Sequence, residues 1–201
     1  MKMMKEKTED KIFKFLLKQF SLNWTITSLA NETKLSRVGI WKVLKKLEKD
    51  KLITLVQIGQ GKTSITSIGL NWENPILEKR LSLILTEEAL IHQRWLNNFE
   101  ELKDRFEFVL LYGSILTSPK EANDIDILEV VLSKKNFLEI EKIIQKIQKT
   151  QIKKIHSESF TKNEFKEEIK KPNKIFINAI KKGIVLFGQE NFIKFVRDIL
   201  K

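Results

Sequence analysis

The chain has 201 residues, 42% of them hydrophobic, which suits one large or two small packed domains. Its net charge of +11 favours a polyanionic partner, most often nucleic acid. The absence of cysteine excludes disulfides, thiolate zinc sites and cysteine nucleophiles, and no apolar run approaches the roughly 18 residues of a membrane span. The charged start is unlike a signal peptide, so we expect a cytoplasmic protein with no membrane partner.

Basic residues are concentrated in the N-terminal third of the chain. Residues 1–74 carry 14 Lys and Arg against 7 Asp and Glu, whereas the remaining 127 residues carry 23 against 19. This imbalance favours a nucleic-acid surface in the N-terminal region.

Apolar periodicity in the first 74 residues predicts helix, helix, turn, helix and a two-stranded hairpin. The predicted elements are helices at 8–20, about 25–34 and 37–51, followed by strands at 52–58 and 63–68. Ser36 is the expected N-cap of the third helix. This order is typical of a winged helix, so we predict such a domain over residues 1–74.

The rest of the chain predicts a linker helix and a second domain. Residues 76–104 are helical in pattern without Gly or Pro, so 75–104 is predicted to link residues 1–74 to a domain at 105–201. That domain alternates strands and helices, and a capping box at Thr161–Glu164 begins one of the helices. Its predicted strands are 106–111, 124–132, 152–160 and 184–187. The predicted fold class is therefore α+β and multidomain.

Residues 27–52 resemble the helix-turn-helix of archaeal and bacterial winged-helix regulators. The resemblance is carried by Ser28-Leu29-Ala30, Leu35-Ser36-Arg37, Ile40, Leu44, Leu47 and Leu52-Ile53. The glycine that usually follows the recognition helix is replaced by Lys51. The resemblance implies DNA binding, with a homodimer expected if the protein reads a palindrome. Binding of a partner protein through the same basic helix is the alternative.

The same resemblance places a set of residues on or beside the DNA-facing side of the recognition helix and its wing. Residues near the helix start would read base edges, and later lysines would contact phosphates. The residues are Arg37, Trp41, Lys42, Lys45, Lys46 and, at the wing tip, Lys62. Trp41 has the alternative of packing under the wing.

A Gly-Ser pair and two aspartates form the most specific pattern in the C-terminal part. Leu111-Tyr112-Gly113-Ser114 ends one apolar strand, and Asp124-Ile125-Asp126 begins the next. Residues i and i+2 of a strand share a face, so both carboxylates should project together and hold a divalent metal. Gly113 would let backbone approach a phosphate, and Ser114 would offer a hydroxyl and an amide at a helix N-terminus. The alternative is an ordinary strand on which the two aspartates are exposed by chance and have no function.

This pattern resembles minimal nucleotidyltransferases of the DNA polymerase β superfamily, which also occur joined to winged helices. The resemblance implies a mixed sheet flanked by helices, Mg²⁺ (or Mn²⁺) as cofactor and an NTP as substrate, with Asp124 and Asp126 as metal ligands. Active members usually carry a third carboxylate on the next strand, where it serves as metal ligand or general base. Here that position holds His156, and Glu158 shares its face, so either residue is a candidate catalytic base. The alternative is that His156 is an ordinary polar residue of the strand.

These patterns leave two functions open. In the first, the protein binds DNA and is a nucleotidyltransferase that moves NMP to a protein, nucleic acid or small molecule; one version is an antitoxin that modifies a small partner RNase. In the second, it is a winged-helix transcription regulator whose degenerate transferase domain senses nucleotide without turnover. The Asp-x-Asp pair favours the first function, and the missing third carboxylate favours the second.

Overall fold

The computed structural model describes residues 6–61, 64–171 and 174–200, which form two compact units with the boundary between residues 84 and 85. That boundary lies inside the segment predicted as a linker. The first unit contains a three-stranded sheet and the second a four-stranded sheet. The protein is therefore α+β, as predicted. Within the described residues, no helix has the length and apolarity needed to cross a membrane.

The first unit has the winged-helix topology that the sequence predicts. Its elements are α1 (Thr8–Lys18), β1 (Trp24–Thr25), α2 (Ile26–Thr33), α3 (Arg37–Lys49), β2 (Ile53–Ile58) and β3 (Ile65–Leu70). The sheet is antiparallel in the order β1-β3-β2. Strand β1 was not predicted, because two residues are too short for a periodic pattern and the strand exists only through its pairing with β3.

Side-chain caps fix the helix starts in this unit. Thr25 and Ser28 form a reciprocal capping box at the start of α2, and the Ser36 hydroxyl accepts a hydrogen bond of 3.1 Å from the Gly39 amide at the start of α3. The helices then bury their apolar faces against one another and the sheet. The fully buried residues include Ile12, Phe13, Leu17, Leu29, Ile40, Leu44 and Leu47.

Lys51 occupies the position where a winged helix usually has glycine, and it takes a left-handed conformation with φ 55°. Its carbonyl accepts hydrogen bonds from the side-chain amides of Asn71 at 2.8 Å and Asn74 at 3.0 Å. A non-glycine residue is strained in this region of backbone space. The missing glycine therefore leaves the fold intact, with the strain held by surrounding hydrogen bonds.

The predicted single linker helix is wrong in its second half. Helix α4 (Pro75–Ile91) stops before His92, and α5 (Gln93–Asn98) and a 3₁₀ turn (Glu100–Leu102) follow. The break has a packing reason, because Trp95, Phe99 and Leu102 all join the core of the second unit. Most of the segment is helical, as its apolar periodicity predicts, but periodicity does not reveal where one helix stops and the next begins.

The second unit is built on a mixed sheet flanked by helices. After α5 come β4 (Phe106–Tyr112), β5 (Asp124–Val131), α6 (Phe137–Gln148), β6 (Lys154–Thr161), α7 (Lys162–Lys170), α8 (Lys174–Lys182), β7 (Ile184–Phe187) and α9 (Gln189–Ile199). The strand order is β6-β5-β4-β7; β5 and β6 are parallel, and the other pairs are antiparallel. The capping box of Thr161 and Glu164 is present as predicted.

The two faces of this sheet are covered by different helices. Ile125 and Ile127 join a cluster with the buried face of α6. The other face, on which Asp126 lies, continues along the strands to Phe108 and Phe160. A phenylalanine cluster from β4, β6, α7, α8 and α9 covers that end of the face: Phe108, Phe160, Phe165, Phe176, Phe192 and Phe195. The aspartates therefore lie at the beginning of β5, beyond this cluster.

Candidate functional site

Asp124 and Asp126 lie on one face of β5, as the i and i+2 spacing predicts. In the sheet register, Asp126 pairs with Tyr112 of β4 on one side and with His156 of β6 on the other. Both carboxylates are half-buried. The register thus puts one aspartate at the centre of a row of three polar side chains.

His156 is brought directly to the two aspartates. Its Nδ1 is 3.5 Å from Asp124 Oδ2 and 3.5 Å from Asp126 Oδ1. One donor atom from each of the three residues lies within 4.8 Å of the others. Glu158, the other candidate base, is exposed two residues further along β6 and lies outside this cluster.

The charges at this site perturb one another. Burial and the nearby Asp124 raise the pKa of Asp126 above its usual value, while His156 acts in the opposite direction. Burial, followed by the charge of Glu158, raises the pKa of Tyr112, so its hydroxyl stays protonated. The sequence pattern contains Tyr112 but predicted no role for this residue. Its position immediately before Gly113 and opposite Asp126 could have identified it as part of the site.

Gly113 is required where it stands. Its φ is 83°, and a Cβ there would come within 2.1 Å of Asp126 Oδ2. Ser114 is exposed, but only a three-residue 3₁₀ turn (Ser114–Leu116) follows it. The predicted helix N-terminus at Ser114 is therefore wrong, because so short a turn lacks the aligned peptide dipoles of an α-helix. What remains is the hydroxyl and the backbone amide.

The residues present fit a divalent metal ion. Two carboxylate oxygens are the hard donors that Mg²⁺ and Mn²⁺ take in proteins, and the missing Cβ of Gly113 leaves room for the Asp126 carboxylate. Asp124 and Asp126 are therefore the two carboxylates of this site that could hold such an ion. The imidazole of His156 is the one donor that departs from an all-oxygen set.

Glu129 is a buried acid that the sequence interpretation passed over. It lies on the opposite face of β5 with no exposed surface, and the hydroxyls of Ser157 and Ser159 donate to it at 2.7 and 3.1 Å. Burial raises its pKa to about 8. The signal was available, because strand alternation puts position 129 on the apolar face of Ile127.

The DNA-facing side proposed for α3 is largely an exposed surface. Arg37, Trp41, Lys42 and Lys45 are all exposed, and Lys45 Nζ lies 4.8 Å above the Trp41 ring. Trp41 keeps 37% of its surface exposed. Val38, 66% exposed on the first turn, belongs to the same surface and was missed. Its neighbour Arg37 and the helical spacing to Trp41 could have indicated it.

Lys45 Nζ also forms an ion pair of 2.7 Å with Glu48 on the same helix. The two remaining residues proposed for DNA contact are Lys46 and Lys62. Lys46 forms an ion pair of 2.7 Å with Glu9, which also pairs with Arg80. The hydrogen bond from Lys46 is the largest cause of a lowered pKa at Glu9. Lys46 therefore has an intramolecular partner that a phosphate would have to displace. Lys62 lies outside the described residues, so its prediction stays a prediction.

Comparison with known proteins gives little beyond this geometry. The chain matches no protein-family model and no curated protein. A solved structure of Lactococcus lactis ZitR, described as a zinc-responsive MarR family member, is 22% identical over 52% of this chain and 65% of its own, just under two thirds of its length, with a TM-score of 0.32. An apo form of a ZitR double mutant is 18% identical over 71% of this chain and 80% of its own, also at 0.32.

Proposed function

We propose that the protein is a DNA-binding winged-helix protein whose second unit is a metal-dependent nucleotidyltransferase, transferring NMP from an NTP to a protein, nucleic acid or small-molecule acceptor. One observation carries the proposal: Asp124 and Asp126 share a strand face beside Gly113, whose missing Cβ leaves room for the Asp126 carboxylate. This arrangement suits a metal ion that is held by carboxylates and contacts the phosphate oxygens of a nucleotide.

Each residue at this site has a distinct part in the proposed reaction. A bound divalent ion would neutralise charge that develops on the phosphoryl oxygens during in-line displacement. Asp124 and Asp126 would hold that ion in a fixed place. The exposed backbone at Gly113 and the Ser114 hydroxyl donate hydrogen bonds to the triphosphate. His156 and Glu158 are the two residues of β6 on this face that can accept the proton of the attacking hydroxyl.

The winged helix would bring this chemistry to DNA. The exposed face of α3 combines Arg37 near the helix start with Lys42 and Lys45 one to two turns later. Arginine reads guanine edges in a bidentate manner, and lysines neutralise phosphates. A homodimer is part of the proposal if the target is a palindrome, since each recognition helix covers one half-site.

A second function has its own supporting observation. His156 stands where active nucleotidyltransferases usually carry the third carboxylate, and it approaches both aspartates. A site altered in this way could bind nucleotide without turning it over, and the protein would then be a nucleotide-sensing transcription regulator. An antitoxin acting on a small RNase is a form of the first function with a protein acceptor.

The deciding experiment is label transfer. Purified protein is incubated with each α-labelled NTP and Mg²⁺ or Mn²⁺, alone and with DNA, RNA or cell lysate, beside the Asp124→Ala, Asp126→Ala double variant. We expect label on one acceptor with the wild type and none with the variant. DNA binding by fluorescence anisotropy is measured on both, and the variant should bind as the wild type does. Nucleotide binding without label transfer would overturn the enzyme and support the sensor.

A further inference from the structure

We propose that His156 is a metal ligand and not the general base, and that it makes the site selective for a first-row transition-metal ion over Mg²⁺. The inference rests on the proposed metal-dependent function and narrows it to one class of cation. It concerns a residue that stands where the resemblance to nucleotidyltransferases places a third carboxylate, which serves there as metal ligand or general base.

The positions of three donor atoms carry the argument. Nδ1 of His156 is 3.5 Å from an oxygen of each aspartate, so it favours neither carboxylate. This separation is longer than the about 3 Å of an N–H···O hydrogen bond. It suits two ligands that share one ion, because each would lie about 2.1 Å from the metal. Two adjacent parallel strands thus bring three donor atoms within 4.8 Å of one another.

The chemistry of the donors decides the class of ion. Mg²⁺ binds oxygen almost exclusively and gains most from a high negative charge at the site. An imidazole in place of a third carboxylate removes one negative charge and supplies a nitrogen, which first-row transition ions accept readily. The substitution of a carboxylate by His156 therefore weakens Mg²⁺ binding while keeping affinity for ions such as Mn²⁺.

The same geometry leaves the proton-accepting role to Glu158. Its side chain is exposed on the same face of β6, two residues from His156, and lies outside the three-donor cluster. Its charge also acts on the Tyr112 hydroxyl, so it lies close to the site. A base must reach the attacking group rather than the metal, and Glu158 is placed to do so.

The test measures metal binding directly on the full chain. The affinity for Mn²⁺ is obtained from the loss of the free-ion EPR signal, and that for Mg²⁺ from competition. Pulsed EPR on bound Mn²⁺ then detects a directly coordinated nitrogen. The variants are His156→Ala, His156→Asp and, as a matched control, His92→Ala, which changes the chain's other histidine. Circular dichroism confirms that each variant is folded.

We expect nitrogen coupling in the wild type and in His92→Ala, and its loss in both His156 variants. His156→Ala should weaken Mn²⁺ binding about tenfold or more and Mg²⁺ binding much less. His156→Asp should shift the ratio of the two affinities toward Mg²⁺. Wild-type protein without nitrogen coupling, or an affinity ratio that His156→Asp leaves unchanged, would overturn the inference.

The outcome separates this inference from the proposed function. Nitrogen coupling without any label transfer keeps His156 as a ligand and rejects the transferase. Label transfer without nitrogen coupling keeps the transferase and rejects His156 as a ligand. If the wild type binds neither ion at millimolar concentration, both are rejected.

Discussion

The two units of this protein both gather charge, but they place it in opposite ways. On α3 the charges belong to long, exposed lysine side chains, such as Lys42. On β5 the charges of Asp124 and Asp126 sit on short, half-buried side chains fixed by strand register. Solvated lysines suit a polymer with repeating charges, whereas fixed carboxylates suit a single ion. Substitutions should therefore have graded effects on α3 and large effects at the sheet.

The largest expected effect comes from Gly113→Ala. The added Cβ would lie 2.1 Å from Asp126 Oδ2, so the carboxylate must leave its position. We expect nucleotide transfer to fall by about 1000-fold, since metal assistance contributes several kcal/mol to such reactions. DNA binding by the first unit should not change. The measurement is label transfer beside fluorescence anisotropy on the same preparation.

Gly61→Ala is the matched control for that variant. Gly61 also has a positive φ, of 67°, but a Cβ there meets nothing within 4 Å. Backbone strain is thus common to both substitutions, and the approach to Asp126 is not. Equal loss of transfer in the two variants would contradict the assignment, and thermal melting would show whether either had unfolded.

Glu129→Gln tests the fully buried carboxyl group of the second unit. The folded chain holds a proton on Glu129 up to about pH 8, whereas the unfolded chain releases it near 4.5. Wild-type stability should therefore fall as the pH rises from about 5 to 8. The variant lacks this loss, and we expect it to be more stable by roughly 3 kcal/mol at pH 7. Urea unfolding at pH 5 and pH 8 measures the difference.

The control for Glu129 is an exposed acid of the same unit. Glu121→Gln removes a carboxyl on the surface, so it should shift the unfolding free energy equally at both pH values. If Glu129→Gln also shifted the unfolding free energy equally at both pH values, burial of the Glu129 carboxyl would not be the cause of the pH dependence.

Lys42→Ala and Lys46→Ala compare two cations of α3. Lys42 is exposed, while Lys46 is paired with Glu9. Losing a phosphate contact should weaken DNA binding several-fold and lower the slope of log affinity against log salt by about 1 for Lys42→Ala. The effect of Lys46→Ala should be smaller, because a phosphate must compete with Glu9. Identical salt slopes would show that the ion pair does not persist on DNA.

The smallest expected effect is a gain in stability. Lys51 holds a left-handed conformation that glycine adopts without strain. Lys51→Gly should stabilise the protein by about 1 kcal/mol, and its carbonyl can still accept from Asn71 and Asn74. Lys49→Gly, at the last residue of α3, should instead destabilise. Chemical unfolding of both variants gives the comparison, and a loss of stability in Lys51→Gly would refute the strain.

Much of the fold could be predicted because its signals are local. Ser36 caps the start of α3 and Thr161 caps the start of α7, as their capping patterns indicate. The apolar periodicity also predicted most of the other helices and strands in both units. The break at His92 and the short strand β1 were not predictable in the same way. Both depend on what the segment packs against, which no window of sequence contains.

The sequence by itself determined that Asp124 and Asp126 share a face, because alternation along a strand is a property of the backbone. It also determined that α3 presents a basic surface. Only the tertiary structure decided that His156 meets both aspartates and that Lys46 turns to Glu9. Strand register and helix packing join residues about 30 positions apart or more. The distances between these side chains depend on the packing of the whole core and not on neighbouring residues in the sequence.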